Sequence, residues 1–211
     1  MTRILWDRTG ERVFELGIEK GVFYPQVGVG VPWNGLISVN ETPDGGEPTS
    51  YYLDGIKFLN VPESEDFSGS IEAFNHPKEF IECDGTATIG SVLYVGQQPR
   101  KTFGLAYKTK VGNDTEGQDA GYKLHLVYNC LVSPTNKNYD TISDSIEPIR
   151  FSWNFTTTPL EIIGLKPSAH IIIDSSNPIA ISTIEDILYG TSLTNPSLPK
   201  PNTIIDILAS L

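Results

Sequence analysis

Apolar and polar residues alternate along the middle of the chain with a period of two. In the segment 121–130, Tyr122 and Leu124 fall on one face, while Lys123 and His125 fall on the other. This period is typical of a β-strand with one face in a core and one face in water. Three other segments alternate in the same way: 67–74, 102–110 and 150–157. The pattern predicts four half-buried strands.

Shorter apolar runs predict further strands near 11–16, 35–41, 50–59, 86–94 and 168–174. Turns rich in Gly, Asp and Pro separate the strands, which is typical of antiparallel sheets. The sequence therefore predicts a mainly β protein, an antiparallel sandwich or barrel. Helical signals are few: one or two turns at 77–82, a helix at 182–190 capped by Ser182 or Thr183, and a helix at 202–211.

Three long connections and a C-terminal segment of different composition accompany the predicted sheets. Residues 17–34, 41–50 and 110–121 are rich in turn-forming residues, so we expect them to project as loops. After Asp174 the chain becomes rich in Ser, Asn and Pro. We predict a β domain over 1–174 and a C-terminal arm over 175–211 that contacts neighbouring subunits. Deleting such an arm should leave a folded, soluble protein that no longer assembles.

Composition excludes several classes of protein. The 211 residues include 26 acidic and 15 basic side chains, for a net charge of −11. This balance argues against nucleic-acid binding, because phosphate affinity comes from clustered Lys and Arg. Without a run of about 18 apolar residues, we expect no membrane-spanning helix. The first residues do not resemble a secretory signal, so we expect the chain to fold in a cytoplasm.

Charge is distributed unevenly along the chain. Residues 41–84 contain eleven acidic and two basic side chains, whereas residues 86–137 contain three acidic and six basic ones. Two interpretations remain open: ordinary surface variation, or attraction between the acidic part of one copy and the basic part of another. The second interpretation makes four residues candidates for inter-subunit contacts: Asp44, Glu47, Lys108 and Lys110.

Patterns that indicate catalysis or metal binding are weak. A histidine and two glutamates are spaced by three residues within 76–82, but a solvated polar face explains them more simply. The segment 113–119 lacks the spacing and the closing glutamate of a calcium loop. No Gly-x-Ser-x-Gly elbow, P-loop or dinucleotide motif is present in the sequence. We therefore expect no enzymatic activity and no metal, and we interpret Cys83 and Cys130 as buried thiols.

Seven segments, taken in order, carry a family resemblance. They are GLISVNETPDGGEPT (35–49), YLDGIKFLN (52–60), IEAFNHPKEFIECDG (71–85), GQQPRKTFGLAY (96–107), GYKLHLVY (121–128), FSWNFTTTP (151–159) and IEDILYG (184–190). Together they resemble the major tail (tail tube) proteins of long, flexible-tailed bacteriophages of the siphovirus type. The resemblance extends over roughly residues 30 to 207.

The resemblance implies a β-sandwich or barrel subunit with a flanking helix. It also implies a structural virion protein that forms hexameric rings, which stack into a tube around the tape measure protein. Tail terminator and tail-tip proteins would be further partners. DNA would pass through the lumen without specific binding, no membrane would be bound, and neither enzymatic activity nor a cofactor is implied. The subunit would be made in the host cytoplasm.

Candidate lumen residues come from the strand predicted at 67–74. Its polar face carries Ser68, Ser70 and Glu72, which offer phosphates no cation to grip. Its apolar face, with Phe67, Ile71 and Ala73, should pack into the subunit's own sandwich. We expect Glu72 to point into the channel, with Asp54 or Glu63 nearby.

Further inter-subunit candidates are apolar: Trp33, in a glycine-rich loop, and Ile187, Leu188, Ile204 and Leu208, in the C-terminal segment. Two alternatives to the tail tube remain open. One is another phage structural or adhesion module, such as a baseplate or decoration protein. The other is a carbohydrate-binding sandwich, in which an exposed Trp33 would stack on sugars.

Overall fold

The computed structural model describes residues 3–90, 92–139, 141 and 148–210. The strands are β1 (Val13–Pro25), β2 (Val31–Pro32), β3 (Leu36–Gly45), β4 (Thr49–Leu53), β5 (Ile56–Val61), β6 (Glu65–Ala73), β7 (Ala87–Ile89), β8 (Leu93–Val95), β9 (Phe103–Asn113), β10 (Gly117–Val132), β11 (Phe151–Thr156) and β12 (His170–Asp174). A 3₁₀ helix spans Lys78–Glu82, and two α-helices follow the strands: α1 (Pro178–Tyr189) and α2 (Pro201–Ala209). The prediction of a mainly β, antiparallel protein is confirmed.

Two sheets share the long strand β10. The first sheet has the order β2-β1-β9-β10, and β12 pairs with the middle of β10. The last residues of β10, Leu131 and Val132, pair instead with β11, which continues into the second sheet as β11-β6-β3. The predicted β-sandwich is therefore confirmed, and the described strands do not close into a barrel.

Strand β10 bends at the point where it changes partners. Its register with β9 shifts between Val127 and Cys130, and Asn129 between them has a φ of 49°. A β-bulge of this kind bends the strand that carries it, and Asn tolerates a positive φ better than most residues do. The bend allows one strand to belong to both sheets.

The first sheet has buried residues on both of its faces, and each face belongs to a separate hydrophobic core. Between the sheets lies an aromatic-rich cluster that includes Phe23, Phe80 and Trp153. On the opposite face of the first sheet, Leu124 and Leu126 of β10 pack against the two α-helices. The molecule thus has three layers: helices, first sheet and second sheet.

The C-terminal segment lies on the chain's own sheet. Ile184 and Leu188 of α1 and Ile204 of α2 are buried in the second core. The expectation of an arm outside the core is therefore corrected, because these helices cover an apolar sheet face that water would otherwise contact. Contact of segment 175–211 with a neighbouring subunit stays a prediction.

Much of the three predicted loops is strand. β1 extends to Pro25, β3 extends to Gly45, and β9 and β10 leave only residues 114–116 between them. The prediction of long projecting loops is wrong at these positions. Strands from other parts of the chain pair with these residues and form hydrogen bonds with their backbone N–H and C=O groups. Tertiary context of this kind overrides weak β propensity.

The predicted helices are present, but α1 begins earlier than expected. The side chain of Asn177 accepts hydrogen bonds of 3.2 Å from the backbone N–H groups of Ile179 and Ala180. Pro178 follows at the first helical position, where its missing N–H costs nothing. Asn177, rather than Ser182 or Thr183, therefore caps the helix. In the described residues, no helix has the length and apolar character needed to cross a membrane.

Candidate functional site

The outer face of the second sheet consists of small polar side chains. Strand β6 is its middle strand, with β3 on one side and β11 on the other. We define the polar face as the three register rows of this sheet: Ser38, Glu72 and Ser152; Asn40, Ser70 and Asn154; Thr42, Ser68 and Thr156. Glu72 is the single ionisable side chain among these nine.

Hydrogen bonds between neighbouring strands connect the polar face. The hydroxyl of Ser38 lies 3.4 Å from Glu72 Oε2, and the side-chain amide of Asn40 donates to Ser70 Oγ at 3.3 Å. The hydroxyl of Ser68 donates to the carbonyl oxygen of Thr42 at 2.7 Å. These contacts orient the side chains while leaving the surface with hydroxyl, amide and carboxylate groups.

The sequence correctly divided the two faces of β6. Ile71 and Ala73 are fully buried, and Phe67 packs against the same core. Ser68, Ser70 and Glu72 lie on the opposite, partly exposed face. The prediction that the apolar residues pack into the chain's own sandwich is confirmed, while the orientation of the polar face toward a channel stays a prediction.

The other two lumen candidates lie outside the polar face. Asp54 forms the turn between β4 and β5 together with Gly55, and Glu63 lies on the connection from β5 to β6. Both side chains are exposed. They therefore do not share a register row with Glu72.

Trp33 belongs to the first core. It is 3% exposed, its Nε1 donates to the carbonyl oxygen of Asn75 at 2.9 Å, and its ring lies 4.8 Å from that of Phe80. The expectation that Trp33 contacts a neighbouring subunit is wrong, and the buried ring cannot stack on sugar. Leu188 and Ile204 are likewise corrected to core residues, since both are buried against this chain's first sheet.

The basic residues of 86–137 have partners within the chain. Lys108 Nζ lies 3.7 Å from Glu185 Oε1 and 3.1 Å from the centroid of the Tyr122 ring. Lys110 Nζ lies 3.4 Å from Glu19 and 3.6 Å from Asp119. The other pairs are Arg100 with Asp84, Lys101 with Glu82, Lys123 with Glu15, and Lys137 with Asp84.

This pairing changes the interpretation of the uneven charge. Lys108 is largely buried beside Glu185, so the expectation that it meets an acidic residue of another copy is corrected. Lys110 is partly exposed and stays a candidate. Asp44, Glu47 and Leu208 are exposed, and Ile187 is half-buried. Their contact with a neighbouring subunit remains a prediction.

Two apolar hairpins lie outside both main sheets. Among the described strands, β4 pairs with β5 and β7 pairs with β8, each as a separate two-stranded sheet. The first hairpin exposes Tyr51, Tyr52, Leu53, Ile56, Phe58, Leu59 and Val61, and the second exposes Ile89, Leu93, Tyr94 and Val95. Two-stranded hairpins are marginally stable in water by themselves. Apolar patches of this kind mark protein–protein contacts.

The sequence contained a signal for the first hairpin. Asp54 and Gly55 have φ values of 51° and 77°, as a two-residue type I′ turn requires. Asp-Gly between two apolar runs is the usual signature of that turn. The apolar run near 50–59 predicts one strand, whereas the structure has two strands joined by this turn.

A cluster of three side chains lies where the two sheets meet. Glu41 comes from β3 of the second sheet, and His125 and His170 come from β10 and β12 of the first. His125 Nδ1 and His170 Nε2 lie 3.2 and 3.4 Å from Glu41 Oε1, and these two nitrogens are 3.3 Å apart. His125 is buried, whereas the side chains of His170 and Glu41 retain 12% and 31% exposure.

Hydrogen bonding and burial change the acidity of this cluster. Hydrogen bonding to His125, and then to Tyr107, lowers the pKa of Glu41 to about 2, although partial burial opposes the shift. Burial lowers the pKa of His170, although Glu41 opposes that change. The Tyr107 hydroxyl donates to Glu41, and burial raises the pKa of that tyrosine. The carboxylate is thus ionised across the physiological pH range.

The sequence did not indicate this cluster. Glu41 lies 84 residues from His125 along the chain and 129 from His170, and no metal-binding spacing joins them. The alternation predicts the wetted face of its strand for His125, together with Lys123. In the structure His125 is buried and contacts Glu41 of β3, the edge strand of the second sheet.

Comparison with known proteins shows a likeness in fold. No protein-family model matches the chain, and no curated protein matches it. The fold is similar to a chain in the cryo-EM structure of the anti-feeding prophage (AFP) baseplate, determined with six-fold symmetry. That similarity has a TM-score of 0.41 and 10% identity, and it covers 84% of this chain and 100% of that one. These values are too low to transfer a role.

Proposed function

We propose that this chain is a structural, non-enzymatic subunit of a phage tail tube. It would polymerise as stacked hexameric rings around a tape measure protein, with tail terminator and tail-tip proteins at the ends and DNA passing through during infection. The hexameric ring and the tail tube family in this proposal rest on the sequence resemblance. The exposed apolar hairpins β4–β5 and β7–β8 are the observation that carries the proposal.

These hairpins favour assembly because the chain leaves them uncovered. Ile56 and Phe58 are both 73% exposed and lie on the same face of β5. Burying apolar surface contributes roughly 25 cal/mol per Å², so a contact that covers the hairpin stabilises an assembly. The second copy of the chain is the proposed occupant, since a tube presents the same surface to each neighbour.

The polar face supports a conduit for DNA. Its hydroxyls, amides and single carboxylate lack the Lys and Arg side chains that hold phosphate groups. A surface of this kind would let a polyanion slide past. We propose that the polar face lines the lumen and that Glu72 points into it.

Negative-stain electron microscopy of concentrated, purified protein tests the proposal. The wild-type protein should form rings or tubes. The double variant Ile56→Thr/Phe58→Thr should give dispersed subunits with an unchanged circular dichroism spectrum, because Thr retains β propensity and both side chains are mostly exposed. Leu193→Thr is the matched control, since Leu193 is 93% exposed but lies outside the hairpins.

Two results would count against the proposal. One is a wild-type protein that stays dispersed at every concentration. The other is a hairpin double variant that assembles as well as the Leu193→Thr control. Rings or tubes that disappear only in the hairpin variant would support it.

A further inference from the structure

We propose that Glu41, His125 and His170 bind one divalent transition-metal ion, with Zn²⁺ as the best match, and that this ion joins the two sheets of the sandwich. The site is separate from the tube proposal, because all three ligands come from one chain. It therefore applies to the free subunit.

The distances already fit a tetrahedral ion. Glu41 Oε1, His125 Nδ1 and His170 Nε2 form a triangle with edges of 3.2, 3.3 and 3.4 Å. Four tetrahedral ligands at about 2.0–2.1 Å from Zn²⁺ lie about 3.3–3.4 Å from one another. The three atoms therefore occupy three corners of such a tetrahedron, and the fourth corner is left for water or another ligand.

The donor atoms select the class of metal. Two imidazole nitrogens and one carboxylate oxygen suit zinc and its transition-metal neighbours. Calcium and magnesium prefer sites made of oxygen ligands. The carboxylate of Glu41 also gives the ligand set one negative charge, which attracts a divalent cation.

Surrounding side chains hold the ligands in place. Thr109 Oγ1 lies 3.1 Å from His125 Nε2, and the tautomer in which Nε2–H donates to this hydroxyl leaves Nδ1 of His125 unprotonated and available for a metal. The Tyr107 hydroxyl donates to the same oxygen of Glu41. The rings of Tyr107 and Phe67 stack on His125 and His170, each with centroids 4.6 Å apart. Such outer contacts are typical of metal sites.

The cluster also has a route to solvent. His170 lines a pocket of about 670 Å³ whose other charged residues are Glu63, Glu65, Asp66 and Lys166. Three carboxylates against one ammonium raise the local concentration of cations. The partial exposure of Glu41 and His170 places the ligands within reach of an ion that enters from this side.

Metal binding should stabilise the subunit. An ion that binds the folded chain at 100 times its Kd adds about 2.7 kcal/mol, which corresponds to a rise in Tm of about 5–10 °C for a chain of this size. The ion would hold β3 of the second sheet against β10 and β12 of the first, which are far from β3 along the chain.

Calorimetric titration of the untagged, chelator-treated chain with ZnCl₂ tests the site. We expect one Zn²⁺ per chain and the rise in Tm given above. Co²⁺ at the same site should show the visible absorption of a tetrahedral ion. Glu41→Gln and His170→Gln should each weaken Zn²⁺ binding more than about 100-fold, since outer-shell changes alone cost about 10–100-fold.

Matched substitutions separate this site from adventitious binding. Glu72 lies on the same sheet as Glu41, and His76 is a histidine outside the cluster. The variants Glu72→Gln and His76→Gln should therefore both bind Zn²⁺ as the wild type does. Wild-type protein that binds no Zn²⁺ would overturn the proposal, as would binding that Glu41→Gln and His170→Gln leave unchanged. If a ligand variant fails to fold, the wild-type stoichiometry and the Co²⁺ spectrum decide the question.

Discussion

The hydroxyl of Tyr24 in β1 donates a hydrogen bond of 2.8 Å to the carbonyl oxygen of Leu188 near the end of α1. That carbonyl lies in the last turn of the helix, where intrahelical partners are missing. Tyr128 makes a similar bond of 2.9 Å to the carbonyl oxygen of Pro199. Two core tyrosines thus fix the C-terminal segment to the first sheet.

Tyr24→Phe should lower the free energy of unfolding by about 1–3 kcal/mol, because it leaves the Leu188 carbonyl buried without a partner. Urea denaturation followed by circular dichroism measures the change. Tyr94→Phe is the control, since Tyr94 is exposed and its hydroxyl can bond to water. Equal stability of Tyr24→Phe and wild type would show that the contact contributes little.

Deletion of 175–211 should yield an unfolded or aggregated chain, in contrast to the expectation from the sequence. The deletion would expose Leu124, Leu126 and Tyr128 on the first sheet, which α1 and α2 now cover. Circular dichroism and size-exclusion chromatography of the truncated chain give the answer. A monomeric truncated protein with an intact β spectrum would contradict this prediction.

Stability should fall at alkaline pH through the buried tyrosines. Burial raises the pKa of Tyr24 and of Tyr128 above the ordinary value, which is about 10 in an unfolded chain. The unfolded state therefore loses these protons first, and their stabilising effect, complete below about pH 10, is lost as the pH rises further.

Each such tyrosine should contribute a slope of about 1.4 kcal/mol per pH unit above that point. Urea denaturation of wild type and of Tyr24→Phe/Tyr128→Phe between neutral pH and pH 11 compares the slopes. The double variant should be less stable at neutral pH but should lose stability more slowly above pH 10. If the free energy of unfolding falls equally steeply with pH in both proteins, Tyr24 and Tyr128 are not the cause of the alkaline loss of stability.

Glu72→Lys should leave tubes intact but slow DNA release from assembled particles, if the polar face lines the channel. The new ammonium would attract phosphates. The effect should be greatest at low salt, where the Debye length is about 30 Å at 0.01 M against about 8 Å at 0.15 M.

Glu79→Lys makes the same change in charge at an exposed position of the 3₁₀ helix, away from the polar face, and should release DNA as the wild type does. Release rates at low and high salt provide the measurement. Unchanged kinetics for Glu72→Lys at low salt, or a tube structure with Glu72 on the outer wall, would refute the lumen assignment.

Local alternation made several features predictable. The division of β6 into a polar face with Ser70 and a buried face with Ile71 follows from the period-two geometry of any strand, and the structure agrees. Cys83 and Cys130 are buried free thiols, as expected. Burial raises the pKa of Cys83 to about 12.

Contacts between distant segments could not be predicted in the same way. Trp33 follows a glycine-rich stretch that suggests exposure, but the strands that enclose it come from several parts of the chain. The sequence predicts that Lys108 contacts another copy of the chain, but in the structure Glu185 of α1 lies beside it. In both cases the residues that contact the side chain are distant from it in the sequence.

The sequence by itself determined the antiparallel class and the inner and outer faces of the most clearly alternating strands, such as β6 and β11, because these depend on backbone periodicity and turn residues close together in the chain. Only the tertiary structure decided what covers each face. The packing of α1 and α2 on the first sheet and the meeting of Glu41 with His125 and His170 depend on the bend in β10 and on long-range strand pairing. No local pattern encodes these relationships, since they join residues that are far apart in the chain.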